Sequence, residues 1–170
     1  MLLQELIDED LINCNLKSGN RDAVIEELVG LFMRKKIIDN RDLFITVVKK
    51  REEIESTAIG EGIAIPHGRS NSVRELKVAL GRSVKGIDFA ALDKKPVTLI
   101  FMIAAPEAAR KEYLQAVAKV ARLLKSKVMK EALLEAETPE EVMKLIRDFD
   151  GVVPESIEIE TKEGRVIHRK

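Results

Sequence analysis

The sequence predicts a single α/β domain, and three observations carry that prediction. The chain has 170 residues, room for one domain with a substantial core and too few for two of ordinary size. Segments with helical spacing and segments with strand spacing are mixed along it, without an internal repeat or a low-complexity stretch. Its 45% apolar and 34% charged residues are the proportions of a folded, water-soluble protein.

The elements follow in order. Asn20 is placed to cap a helix with Val24, Leu28, Leu31 and Phe32 on one face, and Asn40 to cap a second with Leu43, Phe44, Val47 and Val48. Arg51, Glu52 and Glu53 close that second helix. From Ile59 to Ile65 apolar residues alternate with small or polar ones, as in a strand or extended loop, and Gly60 and Gly62 suit tight backbone. Next, Leu76, Val78, Leu80 and Arg82 alternate with Lys77, Ala79 and Gly81, which reads as a half-buried strand.

Val97 to Ala105 is apolar apart from Thr98 and fits a central strand, which Pro106 ends. Residues 107–125 have helical spacing through Leu114, Val117, Ala118, Ala121 and Leu124, and a further helix follows Ser126. Thr138-Pro139-Glu140-Glu141 is a capping box with proline at the first helical position. In the tail, Ile157 and Ile159, then Lys162-Glu163-Gly164, then Val166 and Ile167 predict a β-hairpin, an appendage or a dimer contact.

Composition narrows the function. Twenty-nine basic residues balance 29 acidic ones, so no net field recruits nucleic acid or anionic lipid. The five Phe and one Tyr are not interleaved with basic residues as single-stranded nucleic acid requires. Cys14 is the only cysteine, which removes any internal disulfide or CxxC motif and reads as a small residue in or near the core. Met1-Leu2-Leu3 runs straight into acidic residues, unlike a secretory signal, and no apolar stretch approaches the ~20 residues of a membrane-spanning helix. The cytoplasm is the expected compartment.

Of two histidines, His168 stands beside Arg169 and Lys170 and reads as a solvated tail residue. His67 follows a glycine-spaced apolar segment and Pro66, and precedes Gly68. Proline fixes its own φ and lacks an N–H, so it suits the end of a strand; Gly68 is expected to let the backbone turn and an anion approach. A neutral imidazole is a competent nucleophile near pH 7. Phosphoryl transfer to it needs positioning and charge or donors near the phosphoryl oxygens. Arg51 is a candidate for the charge, and Ser56 and Thr57 for hydroxyl donors. On composition alone a purely structural histidine stays open. No second His or Cys lies at metal-ligand spacing, and no G-x-S-x-G elbow is present.

Glu52, six intervening residues, Ile59-Gly60, Glu61-Gly62 and Ile63-Ala64-Ile65-Pro66-His67-Gly68 resemble the active-site signature of the fructose- and mannitol-type enzyme IIA domains of the bacterial sugar phosphotransferase system, a group that includes nitrogen-regulatory relatives. Every specified position is filled by an allowed residue. The resemblance covers about residues 1–150 and leaves 151–170 as a C-terminal extension. It implies a three-layer α/β/α domain with a central mixed sheet. It implies that His67 accepts a phosphoryl group from an HPr-type phosphocarrier protein and passes it to a cysteine of an enzyme IIB, without a metal or organic cofactor. It aligns Arg51 with the arginine of the family's pocket. Where the family usually has a second histidine, this chain has Tyr113. Its phenol can donate to a phosphoryl oxygen but carries no positive charge, and an amphipathic side chain at a helix surface is the other reading. A regulatory module controlling a target protein is the alternative function, and the sugar is not specified.

Overall fold

A computed structural model of the chain describes residues 1–58 and 60–152. Two 3-10 turns, Leu3–Glu5 and Glu9–Leu11, precede a short strand β1 (Ile12–Asn13). Helices α1 (Arg21–Arg34) and α2 (Arg41–Ile54) follow, then β2 (Ile63–Ala64), β3 (His67–Ser70), β4 (Lys77–Ile87) and β5 (Val97–Pro106). Helices α3 (Arg110–Lys125), α4 (Lys127–Glu135) and α5 (Pro139–Val152) complete the described chain. The hairpin expected beyond Pro154 lies outside the described residues.

The helix starts obey the capping chemistry of the sequence. The Asn20, Asn40 and Ser126 side chains accept the N–H groups of Ala23, Leu43 and Met129, donors that have no partner inside their own helix. Thr138 accepts the N–H of Glu141 at 3.1 Å, but the Glu141 carboxylate takes the N–H of Glu137 at 2.9 Å, one residue before the expected partner. Val24, Leu28, Leu31 and Phe32 are buried as their spacing requires, whereas Leu43 of the second stripe is exposed.

The sheet is mixed, with β4 and β5 antiparallel at its centre. Strand β1 pairs parallel with β4, while β2 and then β3 pair parallel with successive parts of β5 and form the other edge. Val97 and Leu99–Ala105 are all buried, so β5 is covered on both faces. Alternation fixes which residues face which layer. Ala79, Gly81 and Gly68 pair opposite Met102, Ile100 and Ala104 and share one face. A Cβ on Gly81 would lie 2.7 Å from Leu16 and 3.0 Å from Leu28 of α1, so this face is the one covered by α1 and α2.

Val78, Leu80, Arg82 and His67 lie on the opposite face. There the Arg82 guanidinium donates to the carbonyls of Leu134 and Ala136 at the end of α4, in the layer built by α3, α4 and α5. The expectation of a half-buried β4 is corrected accordingly. Gly81 is small because Leu16 and Leu28 pack against it, and the strand is covered on both faces from Val78 to Gly81.

Candidate functional site

Two features of the β2–β3 edge place His67. The turn before it uses positive φ at Gly60 (133°), Glu61 (60°) and Gly62 (79°), a conformation that two of these three positions adopt without a side-chain clash. The Glu61 N–H donates to the Asp93 carboxylate at 2.9 Å, which anchors the turn. Then Pro66, without an N–H of its own, offers its carbonyl to the Ile103 N–H at 3.0 Å. Consecutive carbonyls of an extended chain point to opposite sides, so the Ile65 carbonyl is turned away from β5.

That carbonyl lies 2.7 Å from Nδ1 of His67. A carbonyl only accepts, so Nδ1 carries the proton and Nε2 the lone pair. The ring is partly exposed. Burial pushes its pKa below the ordinary value; the bond to Ile65 opposes this, Arg51 adds to the lowering and Glu52 counters it. At pH 7 the imidazole is therefore neutral, with Nε2 in its nucleophilic form.

The rings of His67 and Tyr113 meet edge-to-face, 5.3 Å between centroids and 64° between planes. Tyr113 sits in the first turn of α3, on the layer that His67 faces. Burial raises the pKa of its phenol against the opposing charges of Arg51 and Arg69, so the hydroxyl stays protonated and can donate. Arg51 stands in the last turn of α2, with Nη1 donating to the Glu55 carbonyl at 2.7 Å. Its charge acts on both His67 and Tyr113. Three of the side chains named from sequence thus converge on one end of the sheet edge.

Residues 5–149 match the family model of the phosphoenolpyruvate-dependent sugar phosphotransferase system, EIIA 2. The chain belongs to this family. It is 36% identical over 150 residues to the fructose-specific EIIABC component of Bacillus subtilis, covering 88% of this chain and 24% of that protein, so the chain spans about a quarter of that relative's length. The nitrogen regulatory protein IIA-Ntr of Neisseria meningitidis is 31% identical in a structure with TM-score 0.78, covering 84% of this chain and 97% of that one. The IIA of the Escherichia coli mannitol system, solved in complex with phosphorylated enzyme IIB, shares the fold at TM-score 0.72 and 19% identity, over 84% of this chain and 97% of that one.

The remaining expected residues of this enzyme IIA behave differently. Thr57 is buried, and its N–H and hydroxyl both donate to the Glu52 carboxylate, at 2.7 and 2.9 Å. The Ser56 hydroxyl lies 3.1 Å from that carboxylate and 3.1 Å from the Phe89 carbonyl. These hydroxyls are thus directed at Glu52 in this arrangement. Glu52, read from sequence as a helix-closing residue, is only 2% exposed and organises the whole turn.

Gly68 corrects a second expectation. It lies within β3, paired with Ala104, and does not turn the chain. A Cβ there would be 2.9 Å from Val47 and 3.3 Å from Val48 of α2, so its smallness lets the helix approach the strand that carries His67. Cys14 is half-buried against the core at the far edge of the sheet, with its thiol pKa raised mainly by burial.

Sequence reasoning missed Arg69. It shares the face of His67 two residues along β3, its Cζ lies 5.7 Å from the centre of the Tyr113 ring, and its Nη1 donates to the Glu107 carbonyl at 2.7 Å. Period-two alternation would have revealed it had β3 been expected to continue beyond His67. Among the described residues no group of three or more His, Cys, Asp or Glu is placed to hold a metal ion, and no helix is long and apolar enough to cross a membrane.

Proposed function

We propose that this enzyme IIA is a cytoplasmic phosphoryl carrier, accepting a phosphoryl group on His67 from an HPr-type phosphocarrier and passing it to a cysteine of an enzyme IIB. The observation that carries the reading is the Nδ1–H donated to the Ile65 carbonyl at 2.7 Å, which leaves the lone pair on Nε2 of a partly exposed ring. In the first step Nε2 forms a bond to phosphorus while the bond to the donor's leaving nitrogen or oxygen breaks and its electron pair stays with the donor. In the second, a cysteine thiolate of the partner forms the new bond to phosphorus and the N–P pair returns to His67. The reaction needs no metal or organic cofactor, since the group arrives from one protein and leaves to another. Residues 1–150 are the unit proposed to do this.

Arg51 is the electrostatic clamp in this scheme, because its charge already acts on the imidazole and a guanidinium binds phosphoryl oxygens bidentately. Tyr113 is the proposed neutral donor. Thr57 joins them only by redirecting its hydroxyl from Glu52. Incubation with the phosphocarrier, its upstream kinase and phosphoenolpyruvate is expected to give an acid-labile phosphohistidine that is absent in His67→Ala. An unlabelled wild-type protein would refute the reading.

The regulatory alternative, in which the phosphorylation state of the chain controls a target protein, is favoured by one observation: the 31% identity and TM-score 0.78 to the nitrogen regulatory IIA-Ntr. It predicts label on His67 that does not pass to any enzyme IIB cysteine.

A further inference from the structure

The face of β3 that presents His67 does not end with it. Ile65, His67 and Arg69 are successive side chains on that face. The imidazole is turned so that Nδ1 faces back to the Ile65 carbonyl. Nε2 therefore carries the lone pair, and Arg69 is the next side chain along the same face.

Arg69 is held from two directions. Its guanidinium carbon stands 5.7 Å from the Tyr113 ring centre, a cation–π distance, and Tyr113 in turn meets the His67 ring at 5.3 Å. Its Nη1 is fixed by the Glu107 carbonyl at 2.7 Å, just ahead of α3. Among the described residues it has no carboxylate partner within 4 Å. A planar cation fixed by an aromatic face and a carbonyl, with its charge uncompensated by an acid, is arranged to receive an anion.

We infer that Arg69 is a catalytic residue that binds oxygens of the phosphoryl group carried on His67, with Tyr113 as the platform that aims its guanidinium. This inference rests on the proposed phosphorylation of His67. It gives the site two guanidinium groups that approach from different elements, Arg51 from the end of α2 and Arg69 from β3. Two cations on separate elements suit a group whose charge is spread over three oxygens. The step is unchanged in its bonds: Nε2–P forms as the donor bond breaks, and Arg69 contributes only hydrogen bonds and charge.

The test uses the full chain, phosphorylated by the phosphocarrier, its kinase and phosphoenolpyruvate. Arg69→Gln is expected to slow labelling by about 100-fold, the effect of removing one preorganised donor at a developing charge. Phosphorus NMR of the labelled protein gives a second readout: without the nearby cation, the pH midpoint of the phosphoryl resonance should rise by about one unit. Arg69→Lys should return that midpoint toward wild type, and Arg69→Met, which keeps the aliphatic stem against Tyr113, replaces the glutamine variant if that one does not fold. An unchanged midpoint in the neutral variants overturns the inference, even if labelling slows, because Arg69 then acts on docking or folding alone. Failure of the wild-type protein to label is a different result, and it removes the proposed role of His67 itself.

Discussion

His67 and Tyr113 meet edge-to-face across the gap between strand β3 and helix α3, with 5.3 Å between ring centroids. The contact joins the proposed nucleophile, which alternation places on that face of the sheet, to the first turn of a helix about 46 residues later in the chain. It also sets the orientation of the imidazole from the side, while the Ile65 carbonyl sets it from behind.

The ring of Tyr113, more than its hydroxyl, is therefore expected to govern the geometry. Tyr113→Phe keeps the contact and should leave labelling of His67 within about tenfold of wild type, since one neutral hydrogen bond is worth about 1 kcal/mol. Tyr113→Ala removes the ring and the support of the Arg69 guanidinium, and should slow labelling further. Rapid-quench labelling of both variants separates these effects; equal rates would assign the contribution to the hydroxyl alone.

The lowered pKa of His67 makes a prediction about pH. In the unfolded chain a histidine takes up a proton near pH 6.5, while the folded protein, where burial and Arg51 disfavour the charge, resists protonation until a lower pH. Between those two values the unfolded state binds more protons, so stability falls as pH is lowered through the window and rises as pH is raised. Urea unfolding from pH 7.5 downward should show this slope, and His67→Gln should reduce it. By imidazole NMR, Arg51→Gln should raise the His67 midpoint only part of the way to 6.5, because burial is the larger cause.

A side chain at Gly68 must displace Val47 and Val48, since its Cβ would lie 2.9 and 3.3 Å from their methyl groups. Gly68→Ala is expected to destabilise the protein by about 1–3 kcal/mol through overpacking. Chemical denaturation measures the loss. A shift of less than about 0.5 kcal/mol would mean that α2 yields more readily than its packing indicates.

Glu52 holds the turn between α2 and the His67 segment. Glu52→Ala leaves the N–H and hydroxyl of Thr57 without their partner, and should cost roughly 3 kcal/mol as buried donors lose their acceptor. Thr57→Val removes one of these bonds and should cost about 1 kcal/mol. Denaturant midpoints of the two variants and the double variant test the coupling, which should make the combined loss smaller than the sum.

Much of the fold could be read in the sequence because its signals are local. The Asn20 and Asn40 caps, the apolar run of β5 and the helix after Ser126 each depend on residues within a turn or two of one another. His67 could be read for the same reason: proline, histidine and glycine stand in one short segment whose spacing resembles a signature. Arg51 and Tyr113 entered through that resemblance and through the chemistry of their side chains, and the fold brings both to His67.

Other features depended on contacts between distant elements. Gly81 looked like the outward half of an alternating strand, yet the methyl groups of Leu16 and Leu28 occupy the place of its missing Cβ. Thr57 looked like a donor free for an anion, yet its hydroxyl is given to Glu52.

By itself the sequence determined the α/β class and the order of the principal elements and singled out the histidine proposed as the nucleophile, because caps, periodicity and a compact motif are encoded over a few residues. Only the tertiary structure decided which ring nitrogen carries the lone pair, which hydroxyls are already engaged, and that Arg69 stands over Tyr113 beside His67. Those outcomes rest on strand register and on the approach of a helix to a sheet, distances set by the packing of the whole core.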